Sequence, residues 1–148
     1  MAIVEQLAEQ IRQRFAVASD RASLAEIAEM LHSGVDLVVI CRPDKTPFGI
    51  VTKTSIVEHV AKQRVISPET CLAPWVMITD IVTCCLSDRV DAAWATMRSH
   101  GLRNLPVTDI DGRVVGVLNA RDALQALLIE TENEEELLRE YVMGRGYR

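Results

Sequence analysis

The chain has 148 residues, which is enough for one ordinary domain or for two small subdomains that share a core. Apolar residues make up 49% of it, and 16 basic residues against 21 acidic ones give a net charge of −5. The cations form no block, which argues against nucleic acid as the main partner, and no apolar run approaches the ~18–20 residues of a membrane span.

Residues 1–14 are predicted to form an N-terminal amphipathic helix. Apolar side chains recur there at helical spacing and form one stripe that continues to residue 15. Acidic residues interrupt the apolar run, so the segment does not have the pattern of a signal peptide. The stripe consists of Ile3, Leu7, Ile11 and Phe15, and the acidic residues are Glu5 and Glu9.

The four cysteines, at positions 41, 71, 84 and 85, form no C-x-x-C pair, and no histidine lies at zinc-ligand spacing from them. This pattern favours reduced, buried thiols over a metal or redox site. It is typical of a cytoplasmic protein.

Two halves of the sequence repeat at an offset of 67 residues. Residues 23–40 align with residues 90–107, and residues 48–57 align with residues 115–124, so that Gly34 falls on Gly101 and Gly49 on Gly116. Each half predicts a leading strand, a helix that ends at a glycine, a buried strand, a polar turn, a second strand and a second helix. We therefore assign repeat one to residues 15–62, a connector to residues 63–75 and repeat two to residues 76–128.

The junction between the last strand and the last helix of repeat two reads "NARD", with Asn119 and Asp122 three residues apart. One interpretation is a capping box, in which Asn119 accepts a hydrogen bond from a first-turn amide and Asp122 reaches back. The other is a nucleotide site, because a carboxylate pairs well with the two hydroxyls of a ribose and a helix N-terminus favours phosphate.

The order of elements and the endings of the two repeats resemble those of the CBS domain (the motif named after cystathionine β-synthase). The resemblance rests on Gly101, Pro106 and Val107 in "GLRNLPV" and on "GVLNARD" at residues 116–122. Two such domains in tandem resemble a Bateman module. The resemblance implies an α/β fold in which two repeats are related by pseudo-two-fold symmetry, with short sheets flanked by helices.

Each repeat departs from the family pattern, which has Ser or Thr three residues before Asp. Repeat one keeps the hydroxyl as Thr52 but has Ser55 in place of the Asp. Repeat two keeps Asp122 but has Asn119 in place of the Ser or Thr.

The resemblance also implies which residues bind a ligand. Asp122 would accept hydrogen bonds from a ribose, and the residue at position 119 would hold the phosphate side. Candidate cations for the phosphate lie beside these positions, and candidate walls for an adenine lie on the short strands. The full candidate set is Asp122, Asn119, Arg121, Gly116, Pro106, Arg103 and Thr83 in repeat two, with Thr52, Ser55 and Lys53 in repeat one.

Residues 129–148 change in character to an acidic run followed by an apolar stripe at helical spacing, closed by Gly144. We predict an amphipathic helical tail whose stripe packs on its own module or on a second subunit, and we favour a homodimer. The stripe consists of Leu137, Leu138, Tyr141 and Val142.

The expected function is a regulatory sensor that binds AMP, ADP, ATP, S-adenosylmethionine or an NAD-like ligand and signals to a separate, unidentified protein. No nucleophile elbow, P-loop or metal motif is present, so we expect no enzyme, no catalytic residue and no cofactor, with Mg²⁺ only alongside a polyphosphate. The main alternative is a dimerisation or interaction scaffold whose ligand sites have lapsed. A sensor of a metal ion or of polyphosphate is a further one.

Overall fold

The computed structural model describes residues 1–62 and 67–142 as two three-stranded sheets flanked by helices. In each sheet the first strand runs parallel to the second, and the second runs antiparallel to the third. The first sheet contains β1 (Phe15–Ser19), β2 (Leu37–Cys41) and β3 (Pro47–Thr52), and the second contains β4 (Cys84–Cys85), β5 (Asn104–Thr108) and β6 (Val114–Asn119).

Five α-helices and two 3-10 turns connect the strands within the described residues. Ser23 caps α2 by accepting a hydrogen bond from the Glu26 amide, and Gly101 ends α4 with φ of 65°. The helices are α1 (Ala8–Gln13), α2 (Leu24–His32), α3 (Lys53–Ala61), α4 (Val90–His100) and α5 (Ala120–Val142), and the 3-10 turns are Val4–Leu7 and Ala73–Trp75.

The two halves repeat residue by residue in the structure. A shift of 67 positions carries β2 onto β5 and β3 onto β6 with identical bounds, and it carries α3 onto the start of α5. The pairing of the second and third strands shifts register at the same place in both sheets. The shift lies between Ile40 and Cys41 of β2 and between Val107 and Thr108 of β5. The predicted α/β class and its internal repeat are therefore confirmed.

The segment that precedes the first strand of each half packs against the last strand of the other half. Ile11 of α1 lies against Gly116 of β6, and Ile78, its counterpart at the same offset, exchanges two backbone hydrogen bonds with Ile50 of β3, next to Gly49. The beginnings of these two segments also bond to the other half. The Val4 amide donates to the Asp88 carbonyl of the second half, and the Ala73 amide donates to the Ala22 carbonyl of the first half. This exchange ties the two sheets together.

Each half also has a hydrophobic core of its own, and a third cluster joins them. Leu37, Val39 and Cys41 on one face of β2 pack with Val117 of β6. Since alternate residues of a strand point to opposite faces, the opposite face of β2 is left to fill the core of the first repeat, through Val38 and Ile40. All five residues of β2 are consequently buried.

The N-terminal segment differs from the single helix predicted over residues 1–14. Ile3 forms an isolated bridge with Arg89, a 3-10 turn follows, and only Ala8–Gln13 is α-helical, while Phe15 begins β1. The reason is tertiary: the amides of Val4 and Glu5 donate to the second repeat rather than within a helix.

The last repeat helix runs on into the tail without a break, so α5 continues from Ala120 to Val142 across the boundary predicted at residues 128 and 129. Gly144 and the basic end at 145–148 lie outside the described residues. No helix in the described part of the chain has the length and apolarity that would let it cross a membrane.

Candidate ligand-binding clefts between the repeats

Two clefts open side by side where the halves meet. The first-repeat cleft, of about 580 Å³, has Thr52, Lys53, Thr54 and Glu58 from the start of α3 in its wall, together with Ile78. The second-repeat cleft, of about 470 Å³, is lined by Arg14, Asp36, Arg103, Asn104, Asn119, Ala120 and Arg121. Asp36, Arg103 and Asn104 line both.

Asn119 organises the start of α5. Its Oδ1 accepts a hydrogen bond of 2.8 Å from the Arg121 amide, as the capping interpretation predicted. Its Nδ2 donates to Asn104 Oδ1 at 3.0 Å and to Asp36 Oδ2 at 3.4 Å. The amide of Asn119 thereby connects the helix to β5 and to the residue that precedes β2 in the other repeat.

Asp122 does not complete a capping box. Its carboxylate is held by the Arg14 side chain, with Nε to Oδ2 at 2.5 Å and Nη2 to Oδ1 at 3.1 Å. Only 11% of the Asp122 side chain is exposed, and Asp122 does not line the second-repeat cleft. The hydrogen bond to Asp122 raises the pKa of the Arg14 guanidinium, so the guanidinium stays charged.

The second-repeat cleft presents more positive than negative charge. Three arginines and a single carboxylate line it, whereas the lining of the first-repeat cleft contains two cations, Lys53 and Arg103, and two carboxylates, Asp36 and Glu58. Within residues 1–62 and 67–142, the Arg103 and Arg121 side chains form no ion pair. The first turn of α5 lies at the same cleft, and the N-terminal end of the helix dipole adds to the positive potential.

The start of α3 carries a complete capping box. Thr52 Oγ1 accepts from the Ser55 amide at 3.1 Å, and Ser55 Oγ accepts from the Thr52 amide at 2.9 Å. Ser55 Oγ also donates to the Thr52 carbonyl at 2.9 Å, and the residue is buried. The Ser55 hydroxyl is therefore used within the helix cap, while the neighbouring Lys53 is exposed at the cleft.

Besides Asp122, three predicted ligand residues line neither cleft. Pro106 is buried in the middle of β5, opposite Val117 of β6. Gly116 faces α1, where a Cβ would lie 2.7 Å from the Ile11 carbonyl oxygen, so packing explains this glycine. Thr83 is exposed just before β4, which has only two residues and leaves Thr83 outside the sheet.

Four residues of the second-repeat cleft were not predicted from the sequence: Ala120, which lies inside the "NARD" junction, and the polar residues Arg14, Asp36 and Asn104. Asp36 and Asn104 carried a signal, because each stands at the start of a buried strand and Asp36 aligns with Arg103 at the offset of 67. Arg14 carried none, because its partner Asp122 is 108 positions away in the chain.

The described part of the chain contains no group of three or more His, Cys, Asp or Glu side chains that could hold a metal ion.

Comparison with known proteins agrees with this architecture. The family model of the CBS domain matches residues 76–129. Residues 76–129 therefore match a CBS domain. An uncharacterized protein of Methanopyrus kandleri is 31% identical over 120 residues, which cover 79% of this chain and 61% of that protein. The chain thus spans less than two thirds of the length of that relative.

Solved CBS-domain structures match both halves of the chain. The CBS domain protein PAE2072 from Pyrobaculum aerophilum, complexed with AMP, is 27% identical, with a TM-score of 0.71 over 85% of this chain and 97% of that one. The CBS domain pair of protein MJ0100, in complex with 5-methylthioadenosine and S-adenosyl-L-methionine, is 18% identical, with a TM-score of 0.72 over 88% and 98%. The predicted resemblance to a tandem CBS-domain pair is confirmed.

Proposed function

We propose that this CBS-domain pair is a regulatory module that binds an adenosine-containing nucleotide in the second-repeat cleft. The observation that carries the proposal is the lining of that cleft by Arg103 and Arg121, neither of which has a carboxylate partner among the residues that the structure describes. The AMP bound to PAE2072 and the adenosyl ligands bound to MJ0100 support the ligand class.

The charges of the cleft fit the phosphate end of such a ligand. The Arg103 and Arg121 guanidiniums, which form no ion pair among the described residues, can bind phosphate oxygens in a bidentate manner, and the N-terminal end of the α5 dipole favours the same anion. Asp122 lies behind Arg14 as the acceptor proposed for the ribose hydroxyls. A polyphosphate ligand would bring Mg²⁺ with it, and no other cofactor or catalytic role is proposed.

Signalling follows from the way the cleft is built. Its wall takes Asp36 from the first repeat and Arg103, Asn119 and Arg121 from the second, so a ligand contacts both halves at once. A ligand that fits one arrangement of the halves better than another shifts the population towards it. We propose that a separate protein recognises this shift.

The tail helix supports a homodimer. Leu137, Leu138 and Val142 are exposed on α5, as are Leu124 and Leu128 nearer its start. An apolar stripe of this length loses contact with water when two copies pack together. We propose that the predicted stripe, which also includes Tyr141, forms the dimer contact.

We place the module in the cytoplasm. All four cysteines are free thiols, and burial raises the pKa of the Cys84 thiol to about 12, which makes it unreactive.

Isothermal titration calorimetry with AMP, ADP, ATP, S-adenosylmethionine and NAD tests the proposal. We expect saturable binding of at least one phosphate-bearing ligand, weakened about tenfold or more in Arg103→Gln/Arg121→Gln, since each lost charge-assisted hydrogen bond is worth about 1.5–3 kcal/mol. Arg113→Gln, at an exposed arginine in the turn before β6, is the matched control and should bind as the natural chain does. Equal affinity in the double variant would contradict the proposed site.

One observation favours the scaffold as a second candidate. Asp122 is held by Arg14 and Ser55 is used in a helix cap, so both family positions for the ribose are occupied within the protein. A scaffold would bind none of the five ligands but would dimerise. Sedimentation of Leu137→Glu/Leu138→Glu against Asn133→Glu, an exposed polar position on the same helix, tests the dimer contact that both candidates share, and only the first variant should become monomeric. Binding of any of the five ligands would contradict the scaffold.

A further inference from the structure

The ion pair between Arg14 and Asp122 joins the two repeats at the edge of the second-repeat cleft. Arg14 lies between α1 and β1, and two of its nitrogens bond the two carboxylate oxygens of Asp122. A third nitrogen, Nη1, lies 3.6 Å from Asp36 Oδ2. The guanidinium thus spans one carboxylate from each repeat.

Arg14 also separates Asp122 from the cleft. One third of the Arg14 side chain is exposed, at 33%, against 11% for Asp122, and only Arg14 belongs to the lining. A ligand that enters the cleft therefore meets the guanidinium first. It reaches the carboxylate only if Arg14 moves.

The cost of moving Arg14 depends on the charge of the ligand. A neutral ribose offers hydroxyls to Asp122, but it leaves a partly buried guanidinium without its bidentate partner. A phosphate offers Arg14 a second bidentate partner of the same charge sign as the carboxylate it gives up. The free energy of exchanging the Asp122 carboxylate for a ligand is thus close to zero for a phosphate-bearing ligand and unfavourable for a neutral one.

We propose that Arg14 determines the specificity of the second-repeat cleft: paired with Asp122 it excludes neutral adenosyl ligands, and it exchanges Asp122 for the phosphate of a nucleotide. This inference rests on the proposed function and deepens it. In the bound form Asp122 is released to accept the ribose hydroxyls while Arg14 neutralises the phosphate.

The same exchange links the ligand to the arrangement of the halves. Arg14 directly follows α1, whose Ile11 packs against Gly116 of β6, and directly precedes β1 of the first sheet. When Arg14 changes partner, the direct ion pair between Arg14, next to β1, and Asp122 of α5 is replaced by contacts that both residues make with the ligand. Neutral ligands do not make this replacement.

The test compares AMP with adenosine by isothermal titration calorimetry in three forms of the full chain. In Arg14→Gln we expect AMP to bind about tenfold more weakly and adenosine about tenfold more tightly, because the phosphate loses a bidentate partner and Asp122 becomes free. Arg12→Gln removes the same charge from an exposed position on α1 outside the cleft, so it should change neither affinity.

A second variant, Arg14→Lys, keeps the positive charge but lacks the planar fork. It should retain most of the AMP affinity while adenosine still gains, and circular dichroism with urea midpoints checks that both variants fold.

The outcomes separate this inference from the proposed function. If the natural chain binds AMP and both Arg14 variants keep its preference for AMP over adenosine, the specificity role is wrong and the proposed function stands. If the natural chain binds neither ligand but Arg14→Gln binds adenosine, Arg14 is upheld as the excluding residue. If no form binds either ligand, the specificity role is wrong, and the proposed function is wrong as well if ADP, ATP, S-adenosylmethionine and NAD also fail to bind.

Discussion

The close approach of α1 to β6 can be tested by adding a single methyl group at Gly116. A Cβ at that position would lie 2.7 Å from the Ile11 carbonyl oxygen, 2.8 Å from its carbonyl carbon and 2.8 Å from its Cγ1. Two of these atoms are backbone and cannot rotate away, so Gly116→Ala must displace α1 from the second sheet.

The magnitude follows from two opposing effects. Overpacking of this kind costs about 1–3 kcal/mol. Alanine in a strand gains about 0.5–1 kcal/mol over glycine, because glycine loses more backbone freedom on folding. At the midpoints of these two ranges the free energy of unfolding should fall by about 1 kcal/mol, and Tm by about 2–4 °C for a chain of this size.

Urea unfolding followed by circular dichroism measures the change, and hydrogen exchange locates it. We expect the amides of α1 to lose protection in Gly116→Ala. Gly101→Ala provides the control, because its Cβ meets nothing within 4 Å and its cost, about 1–2 kcal/mol, comes from the left-handed φ alone. The control should leave the α1 amides protected. A Gly116→Ala protein that is as stable as the natural chain would refute the reasoning.

Three further predictions concern stability. A double-mutant cycle of Arg14→Gln and Asp122→Asn should give a coupling energy of about 1 kcal/mol, reduced by the solvent exposure of Arg14, and a value of zero would remove the ion pair as a tie between the repeats. Ser55→Ala should lower the free energy of unfolding by about 1–2 kcal/mol because it breaks a buried cap, whereas the exposed neighbour Thr54→Ala should change it little. The pKa of Cys84 is raised to about 12 by burial, so above pH 9 the unfolded chain loses a proton that the folded chain keeps. Stability should then fall by up to about 1.4 kcal/mol per pH unit, and Cys84→Ala should show a shallower slope in urea midpoints measured from pH 8 to 10.5.

Much of the fold could be predicted from local pattern. The helices α2 and α4 follow from apolar residues at helical spacing and from the glycines that follow them, and the strands from short apolar runs beside polar turns. The offset of 67 residues then placed β5 and β6 at the positions given by β2 and β3. Because the same pattern occurs twice, the assignment of each element in one half supported the assignment of its counterpart in the other half.

The N-terminal segment shows where local pattern was insufficient. The stripe of Ile3, Leu7, Ile11 and Phe15 suits a helix, but the first residues pair with the second repeat and Phe15 joins a sheet. Backbone hydrogen bonds to a distant segment outweighed the weak preference of a short helix, which is marginal in isolation.

The candidate site also contains residues that were predicted from the sequence and residues whose place depends on tertiary packing. The predicted residues that line the clefts stand at the starts of two helices and one strand. Thr52 and Lys53 lie at the start of α3, Asn119 and Arg121 lie at the start of α5, and Arg103 directly precedes β5. The motif also pointed to Pro106 and Gly116, but strand pairing and the docking of α1 use these residues instead.

By itself, the sequence determined the order of elements, the repeat and the location of the two helix starts, because periodicity, capping and turn chemistry act over a few residues. Only the tertiary structure decided that Arg14 holds Asp122 and that Asp36 faces the other repeat. Those contacts join positions 108 and 83 residues apart, and their geometry depends on how the two sheets exchange their leading segments.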